Sequence, residues 1–406
     1  MLSTRVAVCG LGRLGACIAA VFSDAGFKVV GIETDKEKIE KINKGLPPVQ
    51  EPGLATPYFR KIELGGYDYA VEHSDVCFFA LPTPSSFNGT FDNSYLIDAM
   101  TEVAKAVGRH QRMGFIFVIN STVTPKSCDN VFIPLLENII PRNTFRWGLC
   151  YKPEFIALGT VMSDLRNPDV LLVGESESWV GRYIEQLYCK NITTQAYVKR
   201  MSLLDSELAK ISLNCFVTMK ISFANQVGMI ANELGADANE ILGMVGADSR
   251  VGPKCLKPGL PYGGPCFPRD NKMFRSIAQS APLATASDTI NNQIKEDILL
   301  AVLNHHKIGT HVGILGMAYK PGVHVTDESL GCWLEDQLVR KGVTVKTYDS
   351  LALCRNTLDE VTSCDIVVVA CASSEFSSLS LLENVVLIDP SATVKTHTVK
   401  ESHATA

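Results

Sequence analysis

The stretch YGGPCFPRD, residues 262–270, sets one thiol between a Gly-Gly pair and an apparent helix start. Pro268 suits a first helical turn, where no backbone donor is needed. A thiol just before a helix N-terminus sits in positive potential, which lowers its pKa from about 8.5 toward neutrality and favours the thiolate. Gly263 and Gly264 are expected to leave space above the sulfur. Cys266 is therefore the candidate nucleophile. The other cysteines are read as buried structural thiols, the common fate of free cysteine. A second group lies in SELAKISLNCF, where Glu207, Lys210 and Asn214 stand at i, i+3 and i+7 on one helical face. An ammonium and an amide on one face can hold a developing oxyanion. A solvated polar stripe would look the same, so the weight comes from the thiol found with it.

Near the start, VCGLGRLG contains Gly10-x-Gly12-x-x-Gly15 between a short apolar run and a helical one. Glycines there allow a tight turn and let backbone amides approach a pyrophosphate at the helix N-terminus. Glu33 closes the next apolar run, roughly 20 residues on, where a ribose-binding acid is expected. An acid at that place favours NAD over NADP, because it repels a 2′-phosphate. Arg13, beside the turn, is read as lying next to the pyrophosphate.

These residues need a frame to position them. RVAVCG, KVVGIE, DVCFFAL, GFIFVIN and VLLVG are strand-like runs separated by helical stretches, which predicts a parallel, doubly wound sheet. From Leu203 to about Leu234 apolar residues recur at helical spacing with few breaks, which predicts one long helix, followed by more helices to about residue 305. HVGILG, LEDQLVRKG, VTVKTYD, CDIVVVA and VVLID then return to the α/β pattern. The expected fold class is α/β, with two Rossmann-like doubly wound domains joined by a long central helix. The expected domains are residues 1–198, 199–305 and 306–406, with the site in the cleft between lobes. The long helix carries more apolar residues than one face needs, so a homodimer is expected. No internal repeat is visible, and the tail KTHTVKESHATA reads as frayed.

The 406 residues carry a net charge of −5 and no basic tail, which argues against a nucleic-acid partner. No apolar run is long enough to span a bilayer. The first residues lack a signal peptide's charged region and cleavage site. The 13 cysteines include no C-x-x-C pair. A reduced, cytoplasmic protein is expected, with no membrane partner. No Cys/His cluster has zinc spacing, and no metal is expected.

Taken together the chain resembles the nucleotide-sugar 6-dehydrogenases of the UDP-glucose/GDP-mannose dehydrogenase family. The resemblance covers nearly the whole length. It is carried by GLGRLG, NKGLPPVQEPGL (43–54), LPTPSSFNGTFDNSY (81–95), STVTPKS (121–127), KPEFIALGTVMSDLRNPDVLLVG (152–174), ELAKISLNCFVTMKISFANQ (207–226), DSRVGPKCLKPGLPYGGPCFPRD (248–270) and GMAYKPG (316–322). The forms PEF and CFPRD look like the UDP-glucose and GDP-mannose branches rather than the N-acetylhexosamine one. The resemblance implies a four-electron oxidation of a sugar CH2OH to a carboxylate with NAD, most closely UDP-glucose to UDP-glucuronate. It explains the thiol: hydride leaves an aldehyde carbon only after a nucleophile has added to it. By resemblance Cys266 is the nucleophile, and Lys210 and Asn214 steady the oxyanion. Asp270, Glu154 and Thr122 position or activate the water. The cofactor set implied is Gly10, Gly12, Arg13, Leu14, Gly15, Glu33, Lys38, Thr83 and Thr122. The sugar nucleotide would meet Glu154, Phe155, Lys210, Asn214, Arg250, Lys257, Tyr262, Gly263 and Lys320, with Arg250 reaching a neighbouring subunit's site.

The chain departs from the family pattern at several points. Leu158 stands where a second glutamate is usual, and Asp327 where an arginine is expected. Asp389-Pro390-Ser391 replaces Asp-Gly-Arg, Ser373 replaces a tryptophan, and Arg269 replaces a lysine. Fewer arginines mean altered phosphate binding. Three alternatives to a UDP-glucose enzyme follow. One is the same fold acting on another nucleotide sugar, such as GDP-mannose or a UDP-N-acetylhexosamine, or stopping at a different oxidation level. Another is a non-catalytic relative that keeps the cofactor site. A two-electron hydroxyacid dehydrogenase is the third, and it would have no use for Cys266.

Overall fold

The computed structural model describes residues 5–189, 192, 196–277 and 280–400. It divides into two compact units, residues 1–211 and 212–406. The first unit is built on eight strands: β1 (Arg5–Cys9), β2 (Lys28–Ile32), β3 (Ile62–Leu64), β4 (Val76–Phe79), β5 (Phe115–Ile119), β6 (Trp147–Tyr151), β7 (Val170–Glu175) and β8 (Tyr197–Ser202). Their order in the sheet is β3-β2-β1-β4-β5-β6-β7-β8. All neighbours are parallel except β6 and β7, which run antiparallel. The expectation of an all-parallel sheet is corrected there.

The apolar runs are continuous because both faces of this sheet are covered. Val6, Val8, Phe78, Ile116 and Val118 point to one core, with the helices Arg13–Asp24 and Ser178–Cys189. Ala7, Cys9, Cys77, Phe79, Phe115, Phe117 and Ile119 point to the other, with the helix Ser94–Arg109. The sheet reverses direction of growth between β1 and β4. That switch point is where doubly wound sheets bind ligands, at the carboxyl ends of the strands.

The long helix is Leu203–Leu234, as the periodicity predicts. At 1.5 Å per residue it is about 48 Å long. Its first turns belong to the first unit, where Ser206, Glu207, Lys210 and Ile211 are buried. Further along, Leu213, Phe216, Phe223, Ile230 and Leu234 are exposed at 42, 54, 47, 49 and 77%. They are separated by 3, 7, 7 and 4 residues, intervals that keep them on one heptad-like seam.

The second unit carries β9 (His311–Leu315), β10 (Thr344–Tyr348), β11 (Ile366–Val369), β12 (Ser378–Leu382), β13 (Val386–Ile388) and β14 (Thr396–Lys400). A four-stranded sheet has the order β10-β9-β11-β13, all parallel. Val312, Ile314, Ile366 and Val368 face one core with the helices Pro282–His305 and Leu330–Arg340. Leu315, Val367 and Val369 face the other. β14 pairs in parallel with β12, so the tail is not frayed from Thr396 to Lys400; residues 401–406 lie outside the described residues.

The two units repeat one backbone arrangement, although no repeat is visible in the sequence. In the first, the Gly10 amide donates to Ile32 O at 2.9 Å and the Ala80 amide to Cys9 O at 2.9 Å. In the second, the Gly316 amide donates to Tyr348 O at 2.8 Å and the Ala370 amide to Leu315 O at 2.8 Å. Gly10 and Gly316 both have positive φ, 85° and 91°. Among the described residues no helix is long and apolar enough to cross a membrane, and no group of three His, Cys, Asp or Glu could hold a metal.

Candidate active-site residues of the two units

In the first unit the candidate residues sit just past the carboxyl ends of β1, β2, β4, β5 and β6. Gly10 turns the chain after β1, and a Cβ on Gly15 would lie 1.8 Å from Gly10 O, so only glycine lets the helix Arg13–Asp24 start this close. Gly12 differs: a Cβ there would meet no protein atom within 4 Å. Its face is open, and it caps the first long helix of the fold. Glu33 accepts hydrogen bonds from Leu11 N at 2.9 Å, Thr34 N at 2.8 Å and Asp35 N at 3.0 Å. Lys38 lies 3.7 Å from its Oε2. Arg13 is exposed and Leu14 half-buried beside the turn. Thr83, buried, donates its hydroxyl to Thr122 O at 2.7 Å, tying the β4 loop to the β5 loop. An open helix N-terminus with a fixed acid beside it is an arrangement that fits the pyrophosphate and ribose of a dinucleotide.

Glu154 and Lys210 meet in the same unit, but not through the carboxylate. The Lys210 ammonium donates to the Glu154 backbone carbonyl at 2.8 Å and stands 4.8 Å from the Phe155 ring centroid. The Glu154 carboxylate instead takes Lys152 and Asn120 on one oxygen, Oε1. Lys152 is 1% exposed. Neither Lys152 nor Asn120 stands out in the sequence, apart from a lysine directly after a wholly apolar strand. Leu158, in place of the usual acid, packs against the core on the β1 side.

Glu207 is a structural anchor. It is fully buried and accepts Lys126 N at 2.6 Å and Cys128 N at 2.8 Å. It thus holds the loop after Thr122 to the first turns of the long helix. Lys126 has φ of 75°, a strained conformation that these bonds help fix.

In the second unit Cys266 is exposed and caps the helix Phe267–Ser276, with Pro268 in the first turn. The Asp270 amide donates to Cys266 O at 2.8 Å, the first bond of that helix. Asp270 is 1% exposed, and Asn214 donates its amide to Asp270 Oδ2 at 2.6 Å. Arg269 lies 3.8 Å from Asp270 Oδ1. The chain thus brings Asn214 and Asp270 together.

Both glycines are closely packed, although Cys266 beside them is exposed. A Cβ on Gly263 would lie 2.3 Å from Glu328 O, and one on Gly264 2.5 Å from the Tyr319 ring. Glycine is needed because the segment around Asp327 packs directly on this loop. The Gly264 amide donates to Asp327 O at 2.9 Å. Tyr262 supports the loop from beneath: its hydroxyl donates to Asp288, and Asn271 donates to it at 3.0 Å. Burial and the Asp288 bond push the Tyr262 phenol well up from its ordinary range. Asn291 pairs with both backbone groups of Tyr262, at 2.7 and 3.0 Å. Arg250 is exposed and holds Asp248 at 2.7 Å, Lys257 is exposed, and Lys320 is half-buried, 5.9 Å from the Tyr319 ring centroid. Most other thiols are buried, and Cys9, Cys17 and Cys215 are pushed up to about 12, chiefly by burial. Cys255 is exposed with φ of 65°, so the reading of every other cysteine as buried fails there.

Comparison with known proteins agrees with this layout. Residues 4–192 match the NAD binding domain of the UDP-glucose/GDP-mannose dehydrogenase family, and residues 205–293 match its central domain. The chain is 29% identical over 362 residues to the UDP-glucose 6-dehydrogenase TuaD of Bacillus subtilis, covering 86% of this chain and 76% of that one. It is 28% identical over 359 residues to the GDP-mannose 6-dehydrogenase of Pseudomonas aeruginosa, covering 85% and 81%. Its structure is similar to that of a UDP-glucose dehydrogenase from Pyrobaculum islandicum, with a TM-score of 0.86 and 25% identity over 97% of each chain.

Burial raises the Glu207 pKa above the usual glutamate range. Its contribution to stability is therefore fully present below the unfolded pKa and is lost as pH rises through the folded one. Glu207→Gln keeps one acceptor and sets an NH2 against the other amide, a loss of about 1–3 kcal/mol. The melting-temperature gap to wild type is expected to be widest near pH 4 and to narrow as pH rises. A gap that widens with pH in thermal melts would contradict this.

Proposed function

The chain belongs to the UDP-glucose/GDP-mannose dehydrogenase family of NAD-dependent nucleotide-sugar dehydrogenases, and from that premise we propose that it oxidises the C6 hydroxymethyl of UDP-glucose to the carboxylate. The observation that carries this reading is Cys266, exposed at a helix N-terminus with Asp270 one turn on and Asn214 bonded to it. A plain alcohol dehydrogenase needs no such thiol. NAD supplies the hydride acceptor, held by the turn Gly10–Gly15, with Arg13, Leu14, Glu33, Lys38, Thr83 and Thr122 around it. Lys210 and Asn214 offer donors to the sugar oxygen as charge develops on it. The Cys266 thiolate adds to the aldehyde carbon; loss of hydride leaves a thioester, which water then cleaves. Glu154, Asp270 and Thr122 serve that water. Phe155, Arg250, Lys257, Tyr262, Gly263 and Lys320 belong to the sugar-nucleotide site, Tyr262 through the loop it supports.

A second reading, the same chemistry on another nucleotide sugar, has support of its own. Asp327 and Glu328 are exposed beside the Cys266 loop, where a phosphate-binding arginine is expected. The relatives that act on UDP-glucose and GDP-mannose are equally similar, at 29 and 28%.

The deciding experiment is NADH formation by the purified protein across UDP-glucose, UDP-galactose, UDP-N-acetylhexosamines and GDP-mannose. UDP-glucose is expected to turn over fastest and to give two NADH per sugar. Cys266→Ser is expected to lose overall turnover by roughly 10³-fold or more, since a hydroxyl is a far weaker nucleophile than a thiolate near neutral pH. One NADH per sugar, or a serine variant with near-normal turnover, removes the thioester from the mechanism.

NADP is expected to be used at least about a hundredfold less efficiently than NAD, because Glu33 would face its phosphate and like charges in contact cost several kcal/mol. Equal kcat/KM for the two would remove Glu33 from the cofactor site.

The exposed seam of the long helix supports a homodimer, within a protein that works in the cytoplasm. Light scattering is expected to give at least twice the chain mass of 44.2 kDa. Phe216→Glu with Phe223→Glu is expected to shift the protein toward monomer. A wild-type monomer with full activity counts against the dimer.

A further inference from the structure

Lys152 takes no part in the reading above, yet it is the most deeply buried cation near the candidate residues. It follows β6 directly, its amide donates to Ile119 O at 2.9 Å, and its side chain is 1% exposed. The ammonium has two neighbours. One is the ring of Tyr188, with the nitrogen 4.1 Å from the centroid. The other is Glu154 Oε1, in a close ion pair. Asn120 donates its side-chain amide to the same oxygen at 3.2 Å and to Lys152 O at 2.7 Å. Both donors thus converge on Oε1. Among the described residues no hydrogen bond falls on Oε2. Asn120 Oδ1, also buried, has no partner there either, so the site holds an acceptor that a water can satisfy.

A buried ammonium is costly to keep unless it is paired, and an aliphatic side chain would fill this space as well. Its presence beside one oxygen of one carboxylate has two effects. It fixes the carboxylate rotamer, and it leaves the negative charge directed through the other oxygen. Position 158, where a second glutamate is usual, is a half-buried leucine packed against the core.

We propose that Lys152 is a positioning residue for thioester hydrolysis: with Asn120 it clamps Glu154 Oε1, so that Oε2 receives the attacking water. The proposal rests on the thioester reading above. In the step itself the water oxygen bonds to the acyl carbon and the carbon–sulfur bond breaks. The sugar leaves as carboxylate and Cys266 as thiolate. Two protons are released, the first through Glu154 Oε2. Water is the sole co-reactant and no electrons are transferred.

The test uses the full chain with NAD and whichever nucleotide sugar of the panel gives NADH, isotopically labelled in the sugar. Acid quenching during turnover counts label bound covalently to protein. Lys152→Met is expected to slow turnover roughly tenfold to a hundredfold, to move the KM for sugar less than about twofold, and to raise the bound label toward one per active chain. Slow turnover without more bound label places Lys152 before the thioester, or in folding alone, and overturns the proposal. Unchanged turnover overturns it too. If Lys152→Met does not fold, Lys152→Met with Glu154→Gln removes both charges together. That pair is expected to fold and to accumulate label; wild-type hydrolysis by it overturns the proposal. If wild type carries no label and gives one NADH per sugar, it is the thioester reading that fails.

Discussion

A carboxylate at the carboxyl end of the second strand, fastened to the turn after the first, organises both units of this chain. In the first unit it is Glu33, which receives the amide of Leu11. In the second it is Asp349, which receives Met317 N and Ala318 N, each at 2.9 Å, and also Leu351 N and Ala352 N. Charge-assisted bonds of this kind contribute about 1.5–3 kcal/mol each. They hold amides that would otherwise be stranded at a strand end. The positive-φ glycine, the close helix start and the staggered bonds between strand ends all depend on that turn keeping its shape. The second unit meets the same demand: a Cβ on Gly331 would lie 2.5 Å from Gly316 O. The units diverge at one residue. Gly12 presents an open face, whereas Ala318 at the matching place is buried. The first turn can admit a pyrophosphate against its backbone; the second is closed and serves as scaffold.

Because the strands are parallel and staggered, successive strand ends deliver their following residues to one edge of the sheet. Gly10, Glu33, Thr83, Thr122 and Glu154 are far apart in sequence and follow β1, β2, β4, β5 and β6. The loops are tied to one another by side-chain-to-backbone bonds. Ser121 bridges to Leu81, Thr83 to Thr122 and Asn120 to Lys152. Glu207 then fastens the β5 loop to the long helix, so Lys210 is carried on an element whose start is fixed. Lys210 rests on the Glu154 carbonyl and leaves the carboxylate to Lys152. Two ammonium groups and one carboxylate thereby share a buried region without competing for the same oxygen.

Much of this is legible in the sequence, and the parts that are not share a cause. The long helix, the helix start at Cys266, the glycine turn and the paired doubly wound sheets follow from periodicity and local turn chemistry, which a single segment carries. The antiparallel β7, the β12–β14 pairing and the repeated turn depend on partners distant in the chain. Position 316–318 keeps the glycine that the backbone requires and changes the rest, so no repeat is visible by eye. Lys152 reads as an ordinary strand-end lysine until Tyr188 and Glu154 are seen to enclose it. Gly263 and Gly264 carry a constraint of a different kind. Glycine signals a backbone with no room for Cβ, and the segment that fills that room, here Tyr319 and Glu328, comes from far along the chain.

That segment explains how the chain can depart from its family near Cys266 and still keep the loop. The contacts between the two stretches are made by backbone: Gly264 N to Asp327 O, and Gly263 against Glu328 O. Glu328 itself adopts φ of 49°, and Ser329 begins the next helix by accepting Cys332 N. None of these contacts uses the side chain at 327, which is exposed. The residue there can change charge without disturbing the position of Cys266. Leu158 is the opposite case, because its side chain is half-buried and packs against the core, where a carboxylate would give up apolar contact. Reversing the two departures therefore has different physical consequences. At 327 it changes an exposed charge beside the Cys266 loop, whereas at 158 it also alters packing against the core of the first unit.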